Sequence, residues 1–124
     1  MNHRARPGDA LRIGRLDGPQ GTGVILSNSP REVEFSCSFE KETPPRPAVD
    51  LLLALPRPKV MKRLWAPLAS MGVGTITIIG GDRVEACYFD SHAVTPDLYQ
   101  PRLIEGLEQV RDSRMPGVVI EPSF

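Results

Sequence analysis

An α+β fold is predicted for this chain, and three patterns predict it. Residues 10–38 hold short apolar–polar alternations separated by turn clusters, the period-2 signature of half-buried antiparallel strands. Residues 49–79 hold an apolar run, a helical repeat and a β-branched run in that order, which is the order of a βαβ unit. Between them, Thr43-Pro-Pro-Arg-Pro47 reads as a stiff, extended linker. The predicted organisation is a small antiparallel sheet or partial barrel over 1–42, a linker over 43–48, and an α/β segment over 49–124.

In the first segment, Ala10 to Leu16 alternates Leu11 and Ile13 with Arg12 and Arg15, and Val33, Phe35 and Cys37 alternate with Glu34, Ser36 and Ser38. Asp17-Gly-Pro-Gln-Gly-Thr-Gly23 has the glycine content of a phosphate loop. It lies between two strand patterns rather than between a strand and a helix, so it predicts a hairpin turn. In the second segment, Val49 to Leu55 has the nearly continuous apolar character of a strand buried on both faces. Pro56 and Pro58 end it, and Pro58 is tolerated in a first helical turn.

At about 100° per residue, Val60, Met61, Leu64, Trp65, Leu68 and Met71 share one arc of the helix that follows, with Lys59, Lys62 and Arg63 opposite. Gly72 suits its end. Pro67 falls inside it, where a proline removes a backbone donor and clashes with the preceding turn, so a kinked or interrupted helix is expected. Thr75-Ile-Thr-Ile-Ile79 is a second strand, and the crossover should be right-handed. A second helix lies within Leu98–Asp112, started by Pro96 or Pro101, and Val118-Val-Ile120 begins a third strand. Such a sheet would be thin and one-sided, with exposed edges.

Catalytic and metal-binding patterns are sparse. Cys37 and Cys87 fit no metal spacing and read as reduced thiols. His3 and His92 are far apart, and Asp90-Ser91-His92 places triad residue types side by side, where neighbours rarely face each other. Glu105 and Glu108 lie one turn apart and read as a solvated helix face. Gly72 and Gly74 lead from helix to strand, against the direction of a dinucleotide loop. No apolar run approaches the ~20 residues of a membrane span, and Met-Asn-His-Arg-Ala-Arg lacks a signal-peptide core.

Charge is more informative. Formal net charge is zero over 124 residues, yet it is segregated. Residues 1–15 carry Arg4, Arg6, Arg12 and Arg15 against Asp9, and residues 57–63 carry Arg57, Lys59, Lys62 and Arg63 with no acid. Acids gather at Glu32, Glu34, Glu40 and Glu42. A neutral chain with this segregation can present a basic face to phosphate.

Four stretches occur in the order found in one known family: RPGDALRIGRLDGPQGTGVIL, LLLALPRPKVMKRLWAPLASMGVGTITII, GDRVEACYFDSH and LIEGLEQVRDSRMP. Over residues 6–116 the chain resembles the small-subunit ribosomal RNA uracil-N3 methyltransferases, the RsmE family. The resemblance implies an N-terminal PUA-like β-barrel that binds RNA, followed by a SPOUT-class, trefoil-knot methyltransferase domain. It also implies S-adenosylmethionine as cofactor, ribosomal RNA as partner, a homodimer, and a cytoplasmic or organellar setting. Arg12, Arg15, Arg57, Lys59, Lys62, Arg63 and Arg83 are the implied RNA-contact residues.

The departures from the family are specific. A first barrel strand is expected ahead of Met1, and the Gly-Pro-Glu-Gly-Gly and Leu-Arg-x-Glu-Thr-Ala elements of the cofactor knot do not occur. Where many members carry arginine three residues after the glutamine matching Gln109, this chain has Asp112. The expectation is therefore a fragment or shortened homologue, truncated before the knot, with no catalytic or cofactor residue carried over and no cofactor bound by this chain. The alternatives are a non-catalytic RNA-binding protein that keeps the barrel and basic helix, and a truncated product with no independent role.

Overall fold

The computed structural model describes residues 6–123; His3 and Arg4 lie outside them. The chain divides into two compact units, Met1–Pro44 and Pro45–Phe124.

The first unit is an antiparallel sheet of three strands, β1 (Ala10–Gly14), β2 (Gln20–Asn28) and β3 (Val33–Phe39), in the order β1-β2-β3. The glycine-rich stretch is the β1–β2 hairpin. Asp17 takes a left-handed φ of 57°, Gly18 N–H bonds Arg15 O at 2.9 Å, and Arg15 N–H bonds Pro19 O at 3.1 Å. A side chain at Gly21 would collide with the Ser38 carbonyl, and Gly23 lies under Phe35 and Ile13. These glycines therefore serve strand packing. Ile25 is the buried side chain of this unit, at 1% exposure, and β2 carries an irregularity between Ile25 and Ser27.

The second unit is a parallel sheet of β4 (Leu51–Ala54), β5 (Thr75–Ile79) and β6 (Gly117–Glu121), ordered β4-β5-β6. Helix α1 (Pro58–Ser70) joins β4 to β5. Helix α2 (Pro96–Val110) precedes β6, preceded in turn by short 3-10 turns at Ala86–Asp90 and His92–Val94. Pro96 starts α2, and Pro101 lies inside it. In register, Leu51 and Leu53 of β4 meet Ile76 and Ile78 of β5, which meet Val118 and Ile120 of β6. These six pack into one core with Met61, Trp65, Leu68 and Ala69 of α1 and Leu98, Leu103 and Leu107 of α2.

The opposite face of this sheet remains open, which corrects the expectation of a β4 buried on both sides. Leu52 is 59% exposed and Val119 43% exposed. The apolar run of β4 signals a strand in a parallel sheet; it does not reveal how many faces are covered. Two other expectations are also corrected. Helix α1 runs through Pro67 to Ser70 without interruption. Leu68 shares the buried stripe with Met61 and Trp65, whereas Val60 and Met71 leave it, Met71 being 74% exposed just past the helix end.

The continuity of α1 has a packing explanation. Its last turns lie against α2 so closely that a Cβ on Gly106 would collide with the Ala66 carbonyl oxygen and approach Ala69 Cβ to 3.0 Å. The single O–H of Ser70 lies within reach of two carbonyls, Gly106 O at 2.9 Å and Ala66 O at 3.1 Å, and the shorter contact ties the two helices beyond Pro67. Among the described residues, no helix is long and apolar enough to cross a membrane. Gly106→Ala must push α2 off α1, and we expect it to destabilise the fold by about 1–3 kcal/mol, the usual cost of overpacking. Chemical denaturation reads this as a lower midpoint; an unchanged midpoint would show that the helices do not touch there.

Candidate nucleic-acid interface

The strand-to-helix junction after β4 positions the basic residues. Leu55 N–H still bonds Ile79 O at 2.9 Å, so the strand is held to its last residue. Arg57 then adopts an extended conformation as the residue before the helix, and its carbonyl accepts Val60 and Met61 N–H at 2.9 Å each. Pro58 occupies the first helical position, where its missing donor costs nothing. The first turn contains no acid, so the positive end of the helix dipole adds to the cations instead of being offset.

Burial fixes the rotation of α1. Met61 and Trp65 are fully buried, Trp65 Nε1 donates to Ala93 O at 2.8 Å, and the Trp65 ring lies 4.9 Å from that of Tyr99. With that stripe held inward, Lys59 and Arg63 are exposed and Lys62 is half-buried. Among the described residues, no carboxylate pairs with Arg57, Lys59, Lys62 or Arg63.

One cation is absent from the residues that the sequence singles out. Arg102 of α2 donates from Nη1 to the Lys62 carbonyl at 3.2 Å, so its half-buried guanidinium stands beside the α1 cations. A helical pattern containing an arginine gives no sign of this. The signal needed was the side-by-side packing of α1 and α2, which only the Gly106–Ala66 approach reveals.

The other predicted residues have different surroundings. Arg83 is exposed in the loop after β5, where Val84 N–H closes a turn on Gly81 O at 3.0 Å. Arg12 and Arg15 belong to the first unit. Arg12 Nη2 is held by Glu40 Oε1 at 2.6 Å and by Gln20 Oε1 at 3.3 Å, and Arg15 lies 5.6 Å from the centre of the Phe39 ring. Asp112 uses Oδ1 to accept the backbone amides of Ser113 (2.7 Å) and Arg114 (3.1 Å), shaping the loop that leads into β6. The Asp90-Ser91-His92 run forms no triad: His92 Nδ1 meets Thr95 Oγ1 at 3.0 Å, in the turn that leads into α2. No group of acids, histidines and cysteines able to hold a metal occurs among the described residues.

The fold has solved counterparts. In structure the chain is similar to a probable rRNA-methyltransferase from Porphyromonas gingivalis, at a TM-score of 0.76 and 18% identity over 96% of this chain and 50% of that one. It is also similar to a ribosomal RNA small subunit methyltransferase E from Neisseria gonorrhoeae bound to S-adenosyl methionine, at a TM-score of 0.74 and 17% identity over 96% and 50%. The fold is thus one seen in rRNA methyltransferases. In sequence, the chain resembles ribosomal RNA small subunit methyltransferase E of Treponema pallidum, 26% identical over 117 residues, covering 94% of this chain and 44% of that protein. The resemblance carried by the four sequence stretches is therefore shown, and the chain spans about half the length of the relatives it matches. No family model matches the chain.

A cavity beyond the ends of β5 and β6 is lined by Asp82 and Asp90 and by no basic residue. Because the Gly-Pro-Glu-Gly-Gly and Leu-Arg-x-Glu-Thr-Ala elements do not occur in this sequence, we expect calorimetric titration of the chain with S-adenosylmethionine to show no saturable heat. Saturation at micromolar cofactor would demonstrate a site that these residues do not explain.

Proposed function

We propose that this chain is part, or a shortened homologue, of an S-adenosylmethionine-dependent methyltransferase that modifies N3 of a uridine in small-subunit ribosomal RNA, and that its own contribution is to hold that RNA. On this reading residues 1–42 are part of a PUA-like barrel, 43–48 a linker, and 49–124 the first half of a SPOUT domain. The homodimer and the cytoplasmic or organellar setting belong to the same proposal. The observation that carries it is the row Arg57, Lys59, Lys62 and Arg63, extended by Arg102, on a helix whose rotation is fixed by its buried face. Among the described residues these cations have no acidic partner to displace, so binding phosphate releases only water and counterions. Arg83 stands at the end of the neighbouring strand, where ligands of open α/β sheets sit. Arg12 and Arg15 are weaker contributors, because Glu40 and Phe39 already engage them.

A second reading is a non-catalytic RNA-binding protein that keeps the barrel and the basic helix; the knot elements Gly-Pro-Glu-Gly-Gly and Leu-Arg-x-Glu-Thr-Ala do not occur in this sequence. Both readings use the same basic face. Lys59→Ala combined with Lys62→Ala should weaken binding of a ribosomal RNA fragment. The double substitution should also flatten the plot of log affinity against log salt, by about 0.7–0.9 for each phosphate that is no longer neutralised. Arg12→Ala should change that slope less. An affinity that does not depend on salt, or a slope that responds to Arg12 and not to the lysines, would place the RNA elsewhere.

A further inference from the structure

Strand β3 is an edge of its sheet, and among the described residues no strand pairs with its outer side. All seven of its residues, Val33-Glu-Phe-Ser-Cys-Ser-Phe39, are exposed. Edge strands are usually blunted by lysine, proline or a bulge, because their free N–H and C=O groups invite another strand. This one has no lysine, proline or glycine, and the irregularity of the pair lies in β2.

The hydrogen bonds show which groups are free. Glu40 N–H bonds Gln20 O at 2.7 Å, so it faces β2. Backbone groups alternate in direction along a strand, so Ser38, Ser36 and Glu34 also face β2, in register with Thr22, Val24 and Ser27. The N–H and C=O groups of Val33, Phe35, Cys37 and Phe39 therefore point out of the edge. The same four residues carry their side chains to one face, where Phe35 lies over Gly23 beside Ile13. Val33 is 45%, Phe35 40% and Phe39 38% exposed. Apolar and polar positions thus alternate symmetrically about Ser36.

A strand with that symmetry fits itself. Turned about a twofold axis at Ser36, β3 of a second copy pairs antiparallel along the whole strand. Val33 then faces Phe39, Phe35 faces Cys37, and the outward N–H and C=O groups bond one another. On the other face Glu34 meets Ser38 and Ser36 meets its own copy, so no like charges are opposed within the strand. Just beyond it Glu32 faces Glu40, which Arg12 already holds at 2.6 Å. Neighbouring registers fit less well. An axis at Cys37 sets Glu34 against Glu40, and an axis at Phe35 sets Phe39 against Arg31.

We propose that two copies of this chain associate through β3, the three strands of each forming one continuous antiparallel sheet. The inference goes beyond the homodimer that the family resemblance implies, because it assigns the contact to one strand of the first unit, and it does not depend on RNA. A contact one strand long is smaller than the roughly 1,600 Å² of a standard stable interface, so the association is weak.

Sedimentation equilibrium of the intact chain, at low salt and from micromolar to millimolar concentration, is the test. The native chain should show a reversible monomer–dimer equilibrium. Ser36→Lys and Ser36→Glu each set like charges against each other across the axis, and each alone should weaken dimerisation about fivefold, the upper end for directly opposed cross-strand pairs. An equimolar mixture of the two variants should recover or exceed the native association, which a folding defect would not allow. Cys37→Pro removes an outward N–H that β2 does not use, a change that edge strands tolerate, and should abolish the dimer. A native chain that stays monomeric throughout overturns the proposal. So does a dimer that the Ser36 variants and Cys37→Pro leave unchanged, or one that Ser36→Lys strengthens, since the axis would then lie elsewhere.

Discussion

The close crossing of α1 and α2 at Ala66 and Gly106 is the constraint on which the second unit depends. Three parallel strands bury nothing by themselves; they need a layer of helices, and here two helices of modest length must supply it. They do so by lying side by side over Leu51, Leu53, Ile76, Ile78, Val118 and Ile120. A glycine at 106 lets α2 reach the backbone of α1, and Ser70 bridges the two. This crossing aligns the buried stripe of α1 with the sheet. With Met61 and Trp65 turned inward, the lysines and arginines at 59, 62 and 63 have nowhere to go but outward or into the groove beside α2. The position of the charges is thus a consequence of apolar packing. The same crossing brings Arg102 to the Lys62 carbonyl.

Much of this architecture was legible in the residues. The period-2 alternation of β1 and β3, the βαβ order of 49–79, the proline at the head of α1 and the hairpin character of Asp17–Gly23 all follow from local chemistry, and each corresponds to an observed element. What was not legible depended on neighbours. Pro67 predicts a broken helix because a proline deletes one backbone bond. Nothing local to it shows that Ser70 and Gly106 hold α1 to α2 around that gap. Leu52 reads as core because it sits in an apolar run, yet no helix covers its side of the sheet. Arg12 reads as a free cation because Glu40 lies far along the chain, and only the pairing of β1 and β3 with β2 brings them together.

The open face of the parallel sheet bears on what the chain can do. Parallel sheets are usually covered on both sides, and this one shows Leu52 and Val119 to solvent. The relatives that share this fold are about twice as long as the chain. On the proposed reading, the cations at the head of α1, with Arg102 beside them, are the part of the chain that meets phosphate.

If RNA is held by the outward face of α1 and its extension on α2, the residues of that face should respond to it one by one. A heteronuclear NMR titration of the isotopically labelled chain with a ribosomal RNA fragment at low salt reads this directly. Progressive amide shifts are expected from Arg57 to Arg63 and at Arg102, with small changes at Arg12. Shifts confined to the β1–β3 sheet, with residues 57–63 unmoved, would contradict it.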